Sequence, residues 1–175
     1  MPLEIIIDGY NFIRQSYSLK RIDAQNLEQG REALLERLTA YHQVRGHPIT
    51  VVFDGWGGFN LSSTRTGHEG ITVVFTAQGQ TADEWIVARV GGVRYGAVVT
   101  SDREIQQYAE RAGLVAIPSL EFERRMEVAL RGDTDGDTMD EEEWEEEEFA
   151  PAKRKGSAWQ LSKKEKKRRA ILDKL

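Results

Sequence analysis

Cysteine is absent from the 175 residues, which excludes a disulfide framework and any thiolate metal site and fits a reducing compartment. The 3 histidines, His42, His47 and His68, form no Ser-His-Asp arrangement of a nucleophilic triad. The glycine-rich stretches at 55–58 and 91–92 lack the spacing of a dinucleotide site or a phosphate-binding loop. Asp133, Asp135 and Asp137 begin like a calcium-binding loop. Thr138 then stands where glycine is needed, and Trp144 where the bidentate glutamate belongs. No apolar run is long enough to span a membrane. Met1 leads almost directly into Glu4-Ile5-Ile6-Ile7, without a basic leader or a cleavable apolar segment. The expectation is a soluble, cytoplasmic protein with no membrane partner.

What the chain has in abundance is charge, unevenly placed. The net charge of −5 would argue against nucleic acid as a partner. Yet residues 133–148 hold 11 acidic residues and no basic one, while residues 151–175 hold 10 Lys or Arg against Glu165 and Asp173. The first 132 residues are left with a net charge of only −2. The pattern divides the chain into a folded domain at 1–131, an acidic linker at 132–150 that cannot bury enough apolar surface to fold alone, and a basic tail at 151–175 with the makings of a helix.

Within the first part, short apolar runs at 4–7, 49–53, 71–75, 97–100 and 114–117 read as strands. Helical periodicity or helix-start signals cover 26–45, 81–90, 101–112 and 119–130. Residues 55–70, rich in Gly, Ser, Thr and Asn, read as a loop. The strands are continuously apolar rather than alternating, and helices intervene between most of them. That is the pattern of an α/β fold with three layers, a central and mainly parallel sheet between helices.

In such sheets ligands bind beyond the carboxyl ends of the strands. Asp8 ends the first strand, Asp54 follows the second, Asp83 lies where the third gives way to a helix, and Asp102 follows the fourth. Taken singly, Asp83 and Asp102 sit in capping boxes (Thr81 to Glu84 and Ser101 to Glu104), and Asp8-Gly9 and Asp54-Gly55 suit turns. Taken together, four aspartates at one edge suit a hard divalent cation, Mg²⁺ or Mn²⁺, which activates water and offsets charge on a phosphate. Asn11 either orients a water or phosphate at such a site or closes an Asx turn. Thr100 and Ser101 are candidate hydrogen-bond donors to a phosphate oxygen, with Ser101 equally suited to cap a helix. Arg103 is a candidate phosphate contact or a solvated side chain.

The runs Ile6-Ile7-Asp8-Gly9-Tyr10-Asn11, Val51-Val52-Phe53-Asp54-Gly55, Thr81-Ala82-Asp83 and Val98-Val99-Thr100-Ser101-Asp102 together resemble the YacP-like branch of the NYN domain family, among the PIN-like nucleases. The resemblance extends from residue 1 to about 131. It implies a PIN-like three-layer fold and Mg²⁺- or Mn²⁺-dependent endonucleolytic cleavage of RNA, with single-stranded RNA favoured. It also implies Asp8, Asp83 and Asp102 as metal-binding catalytic carboxylates, Asn11 as the motif asparagine and Asp54 as a candidate fourth ligand. The family's links are with RNA decay and, for some members, the ribosome. A non-catalytic RNA- or ribosome-binding module on the same fold is the alternative.

The tail lies beyond those motifs. Its block Lys163, Lys164, Lys166, Lys167, Arg168 and Arg169 suits the phosphates of RNA or of the ribosome, with a solvated tail as the plain reading.

Overall fold

The computed structural model describes residues 2–55, 64–132 and 162–175. Within them lie six strands: β1 (Glu4–Asp8), β2 (Ile49–Phe53), β3 (Thr64–His68), β4 (Ile71–Phe75), β5 (Gly96–Val99) and β6 (Val115–Ile117). They form one sheet in the order β3-β4-β2-β1-β5-β6. Every pairing is parallel except that of β3 with β4.

The continuously apolar strands are explained by a core on each face. Ile5, Ile7, Val51, Phe53, Val73, Ala97 and Val99 point to one side. They pack with Phe12, Leu34, Leu38, Tyr41, Phe122 and Met126. These come from the helices α1 (Gly9–Gln15), α3 (Leu27–Arg45) and α6 (Ser119–Arg131). Ile6, Val52, Val74 and Val98 point to the other side and meet Ile86, Val90, Ile105 and Ala109. These belong to α4 (Ala82–Val90) and α5 (Arg103–Arg111). Alternate residues of each strand thus serve opposite cores, and the three-layer α/β/α arrangement follows. Among the described residues no helix is long and apolar enough to cross a membrane.

Three features differ from the sequence expectations. The stretch expected to be a loop at 55–70 contains β3, which covers the edge of β4; residues 56–63 lie outside the described set. The connection is a two-residue turn in which Glu69 and Gly70 both take positive φ, 43° and 92°. Two successive left-handed residues suit a tight hairpin, because their twist matches that of the strands. Two short helices, α1 and α2 (Tyr17–Asp23), fill a region where periodicity showed nothing. Each is only 7 residues long, too short for a periodic signal. Finally, α5 is capped by Asp102 and not by Ser101: Asp102 Oδ1 accepts the N–H groups of Glu104 and Ile105 at 2.8 and 3.2 Å.

The end of the chain does more than its composition suggests. Its described part carries α7 (Lys163–Leu172), and Ile171 and Leu175 are buried in the larger core. Tyr41 Oη donates to the backbone oxygen of Leu175 at 2.8 Å, and Arg125 Nη1 donates to that of Leu172 at 3.0 Å. A helix with few apolar residues is held by those few, all near its end. The acidic segment at 133–150 and the start of the basic one at 151–161 lie outside the described residues.

Candidate active site at the carboxyl edge of the sheet

The strand order decides which acidic residues meet. β1 lies between β2 and β5. The chain leaves β1 toward β2 and returns across it, through α4, to β5. A sheet opens at such a switch of direction, and the opening faces the carboxyl ends of the strands. Asp8, the last residue of β1, is level with Val52 of β2, and its neighbour Ile7 is level with Val99 of β5. Asp54 therefore stands two residues beyond Asp8 on one flank, and Asp102 three residues beyond Val99 on the other. Asp83, in the first turn of α4, completes the group.

Three of the four are held by backbone N–H groups at helix starts. Asp8 Oδ1 accepts from Asn11 at 3.3 Å, Asp54 Oδ1 from Ala82 at 2.5 Å, and Asp102 Oδ1 from Glu104 at 2.8 Å. These hydrogen bonds fix one oxygen of each of the three carboxylates. The other oxygens of Asp54 and Asp102 have no hydrogen bond among the described residues. The Thr81 to Glu84 capping box is complete. The two Asp-Gly pairs are explained by crowding. A side chain at residue 9 would collide with the ring of Phe53, and one at residue 55 with the backbone oxygen of Thr76.

Burial sets the electrostatics. Asp8 is 6% exposed. Its pKa is raised to about 7, chiefly by desolvation, with the charges of Asp83 and Asp54 adding to the effect; the Asn11 N–H and, more weakly, Arg14 oppose it. Asp83 is also raised, first by desolvation and then by Asp102 and Asp54, against a hydrogen bond with Asp8. Asp8 and Asp83 thus each feel the charges of neighbouring aspartates. Among the described residues no group of three or more acidic or histidine side chains is arranged to hold a metal ion as it stands. The donor chemistry nonetheless suits a hard cation, since Mg²⁺ binds through one or two carboxylates and completes its shell with water and phosphate oxygens.

Around the carboxylates lies a ring of polar groups that position the loops. Asn11 Oδ1 accepts from the Ser101 backbone N–H at 2.8 Å and from the Ser119 hydroxyl at 3.0 Å. It ties α1 to the turns after β5 and β6. Thr100 is buried, and its hydroxyl accepts from the Asp102 N–H at 3.1 Å, so it serves the turn rather than the surface. Ser101 Oγ accepts from the Ser119 N–H at 3.3 Å. Arg103 is exposed at the start of α5.

Two contributors carried no signal in the sequence. Ser119 read only as a helix start. Arg31 stands near the start of α3. It is half-buried: Nη1 donates to Tyr10 Oη at 2.8 Å, and the guanidinium lies 5.6 Å from the Phe75 ring centre.

The basic block of α7 does not join the aspartates. Lys164 pairs with Glu110 in the last turn of α5 at 2.7 Å, and Lys167 Nζ donates to the backbone oxygen of Gly113, just before β6, at 2.5 Å. Lys174 reaches Tyr95, just before β5. These partners mark the amino edge of the sheet, opposite the aspartates. Arg168 pairs with Glu121 at 3.7 Å. Lys163, Lys166 and Arg169 are exposed and form no ion pair among the described residues.

Comparison with known proteins agrees with the α/β fold. The family model for the YacP-like NYN domain matches residues 5–170. The match takes in the charged segments that the sequence motifs had left outside the resemblance. Crystal structures of Rae1 (YacP) from Bacillus subtilis are similar. One has a TM-score of 0.62 at 29% identity, covering 75% of this chain and 77% of that one. A tryptophan-to-leucine variant has a TM-score of 0.62 at 26% identity, covering 74% and 78%. The uncharacterized protein YacP of Bacillus subtilis is 34% identical over 82 residues, which is 47% of this chain and 48% of that protein. This last match spans about half the length of the relative.

Proposed function

The chain belongs to the YacP-like NYN domain family, and on that premise we propose that it is a metal-dependent endoribonuclease that cleaves single-stranded RNA in the cytoplasm. The family points to a PIN-like nuclease with RNA as its substrate. The observation that carries the finer reading is Asp8. A carboxyl 6% exposed, with its pKa raised to about 7 beside Asp83 and Asp54, is costly to keep unless a cation or a reacting group uses it.

The residues divide the work. Asp8 and Asp83 are the inner ligands, and Asp102 and Asp54 offer their second oxygens from the two flanks. The backbone N–H groups that hold the first oxygens keep these side chains from turning away. A Mg²⁺ or Mn²⁺ ion bound there would activate water and offset negative charge on the scissile phosphate. Holding that ion would require Asp8 in its charged form, against the burial that favours its protonated form in the free protein. Asn11 holds the Ser101 turn in place, and Asp102 with it. Arg31 and Arg103 supply positive charge toward the phosphates on either side. Lys163, Lys166 and Arg169 offer a second contact to RNA, or to a ribosome that presents it, at a distance from the aspartates.

The test is cleavage of labelled single-stranded RNA with Mn²⁺ or Mg²⁺ by the wild type and by Asp8→Asn, with and without ribosomes. Metal-dependent cleavage lost in Asp8→Asn is expected. Cleavage seen only with ribosomes would make the ribosome part of the reaction. RNA binding without cleavage in either setting would replace this proposal with the non-catalytic binding module.

A further inference from the structure

The segment that joins the aspartate edge to α3 carries a feature the proposed reaction has not used. Tyr17, the first residue of α2, is 79% exposed, the most exposed large apolar side chain among the described residues. The Arg21 guanidinium lies 5.9 Å from its ring centre. The two side chains line a hollow of about 330 Å³ with Ser18, Ile22 and Gln25. From Gly9 to Asp23 the cations are Arg14, Lys20 and Arg21, all exposed. None of the three forms an ion pair among the described residues. The one acid in that stretch, Asp23, is partly buried. The ridge is therefore locally positive beside an acidic site. Arg14 is close enough for its charge to be felt at Asp8.

We propose that this hollow is a nucleobase subsite, in which Tyr17 and Arg21 take an unpaired base of the RNA strand lying across the aspartates. The inference rests on the nuclease reading and adds to it where the strand runs. Its chemistry is that of single-strand recognition. An aromatic ring offers a stacking face to any base, a guanidinium extends that face and meets phosphate, and the Gln25 amide offers a donor and an acceptor to the base edge. Spacing agrees. Asp8 caps α1 at one end and Ser16 at the other, so Tyr17 stands about one seven-residue helix away, roughly 10 Å at 1.5 Å per residue. A strand along α1 crosses that span in a few nucleotides. Arg14 sits between the two ends, placed to meet an intervening phosphate. The preference is for unpaired RNA, because a paired base has no free face to offer the ring.

The experiment uses the full chain and a single-stranded RNA scanned with abasic nucleotides on both sides of the cleaved bond. Affinity is read by fluorescence anisotropy without divalent cation, and cleavage separately with Mn²⁺. In the wild type, removing the base at one position within a few nucleotides of the cleaved bond is expected to weaken binding between about 5-fold and about 100-fold. In Tyr17→Ala the intact RNA should bind as weakly as that abasic RNA does to the wild type, with no further loss on removing the base. Tyr17→Phe should restore the difference. The exposure of Tyr17 keeps these variants clear of the core, and circular dichroism would verify the fold. Equal affinity of wild type and Tyr17→Ala for intact RNA, or an abasic effect that persists in Tyr17→Ala, overturns the subsite whether or not RNA is cleaved. Coupled loss of binding without cleavage by the wild type would leave the subsite standing and remove the nuclease reading instead.

Discussion

Asn11 Oδ1 accepts the backbone N–H of Ser101 at 2.8 Å, across 90 residues of sequence. The same oxygen takes the Ser119 hydroxyl at 3.0 Å. One side chain on α1 thus holds the turns after both β5 and β6, and one of these turns carries Asp102. Replacing it removes two hydrogen bonds and leaves a backbone N–H with no partner. Asn11→Ala should lose about 1–3 kcal/mol of stability, read by urea unfolding. Its RNA cleavage should fall as well, because the Asp102 turn is no longer held. Unchanged stability and unchanged cleavage would show that the asparagine is dispensable to both.

Asp8 makes stability depend on pH in a defined direction. Its pKa is about 7 in the folded protein against 3.8 as the ordinary value. Folding therefore favours the protonated form. Its contribution is fully present below about pH 4, falls as pH rises toward 7, and is gone above that. The loss is at most about 4 kcal/mol for a shift of roughly three units. Without divalent cations, Asp8→Asn should be more stable than the wild type at pH 8, and the two should converge near pH 4. Thermal unfolding across that range checks it. Equal stability at pH 8 would show that the buried carboxylate carries no such penalty.

Metal should reverse that ranking. A cation that binds only the folded state raises stability with its concentration. Titrating Mn²⁺ at pH 8 should raise the melting temperature of the wild type. The rise should be much smaller for Asp8→Asn and Asp83→Asn. Equal shifts in all three proteins would place the metal elsewhere.

The last helix should count toward stability through its apolar end. Ile171 is fully buried and Leu175 is 3% exposed. Ile171→Ala should cost about 2–5 kcal/mol, measured by denaturant unfolding. Lys163→Ala, on the exposed face of the same helix, should change stability little. Similar small effects from both would mean that α7 is not part of the cooperative unit.

The exposed cations of α7 should reveal themselves through salt. If Lys163, Lys166 and Arg169 each meet one phosphate, replacing all three with Ala should weaken RNA binding. It should also reduce the slope of log affinity against log salt by about 2, at roughly 0.7 per contact with a single strand. An unchanged slope would assign the block to solvation.

Much of the architecture was legible because the signals were local. The strands announce themselves as short apolar runs rich in Val and Ile, two of them ended by Asp-Gly, and α4 begins with a complete capping box. The antiparallel β3 was missed because its residues Thr64 to His68 carry no apolar run. They pair with β4 and present little to a core. The helices α1 and α2 were missed because one or two turns leave no periodicity to read. At the site, the aspartates could be nominated from their place after each strand. The sequence offered no means to see that Arg31 would be drawn in beside Tyr10, since a helical arginine looks the same whether solvated or packed.

The sequence by itself determined the α/β class, the succession of the main strands along the chain and the four candidate carboxylates that follow them. These follow from short-range patterns: apolar runs, caps and turns. Only the tertiary structure decided which of these groups meet. The placement of β1 between β2 and β5 brings Asp8, Asp54 and Asp102 to one edge. The docking of Ile171 and Leu175 carries Lys164 and Lys167 of the same basic block to the opposite one. Proximity between residues far apart in the chain depends on how strands are ordered and faces are packed, and no local pattern encodes that order.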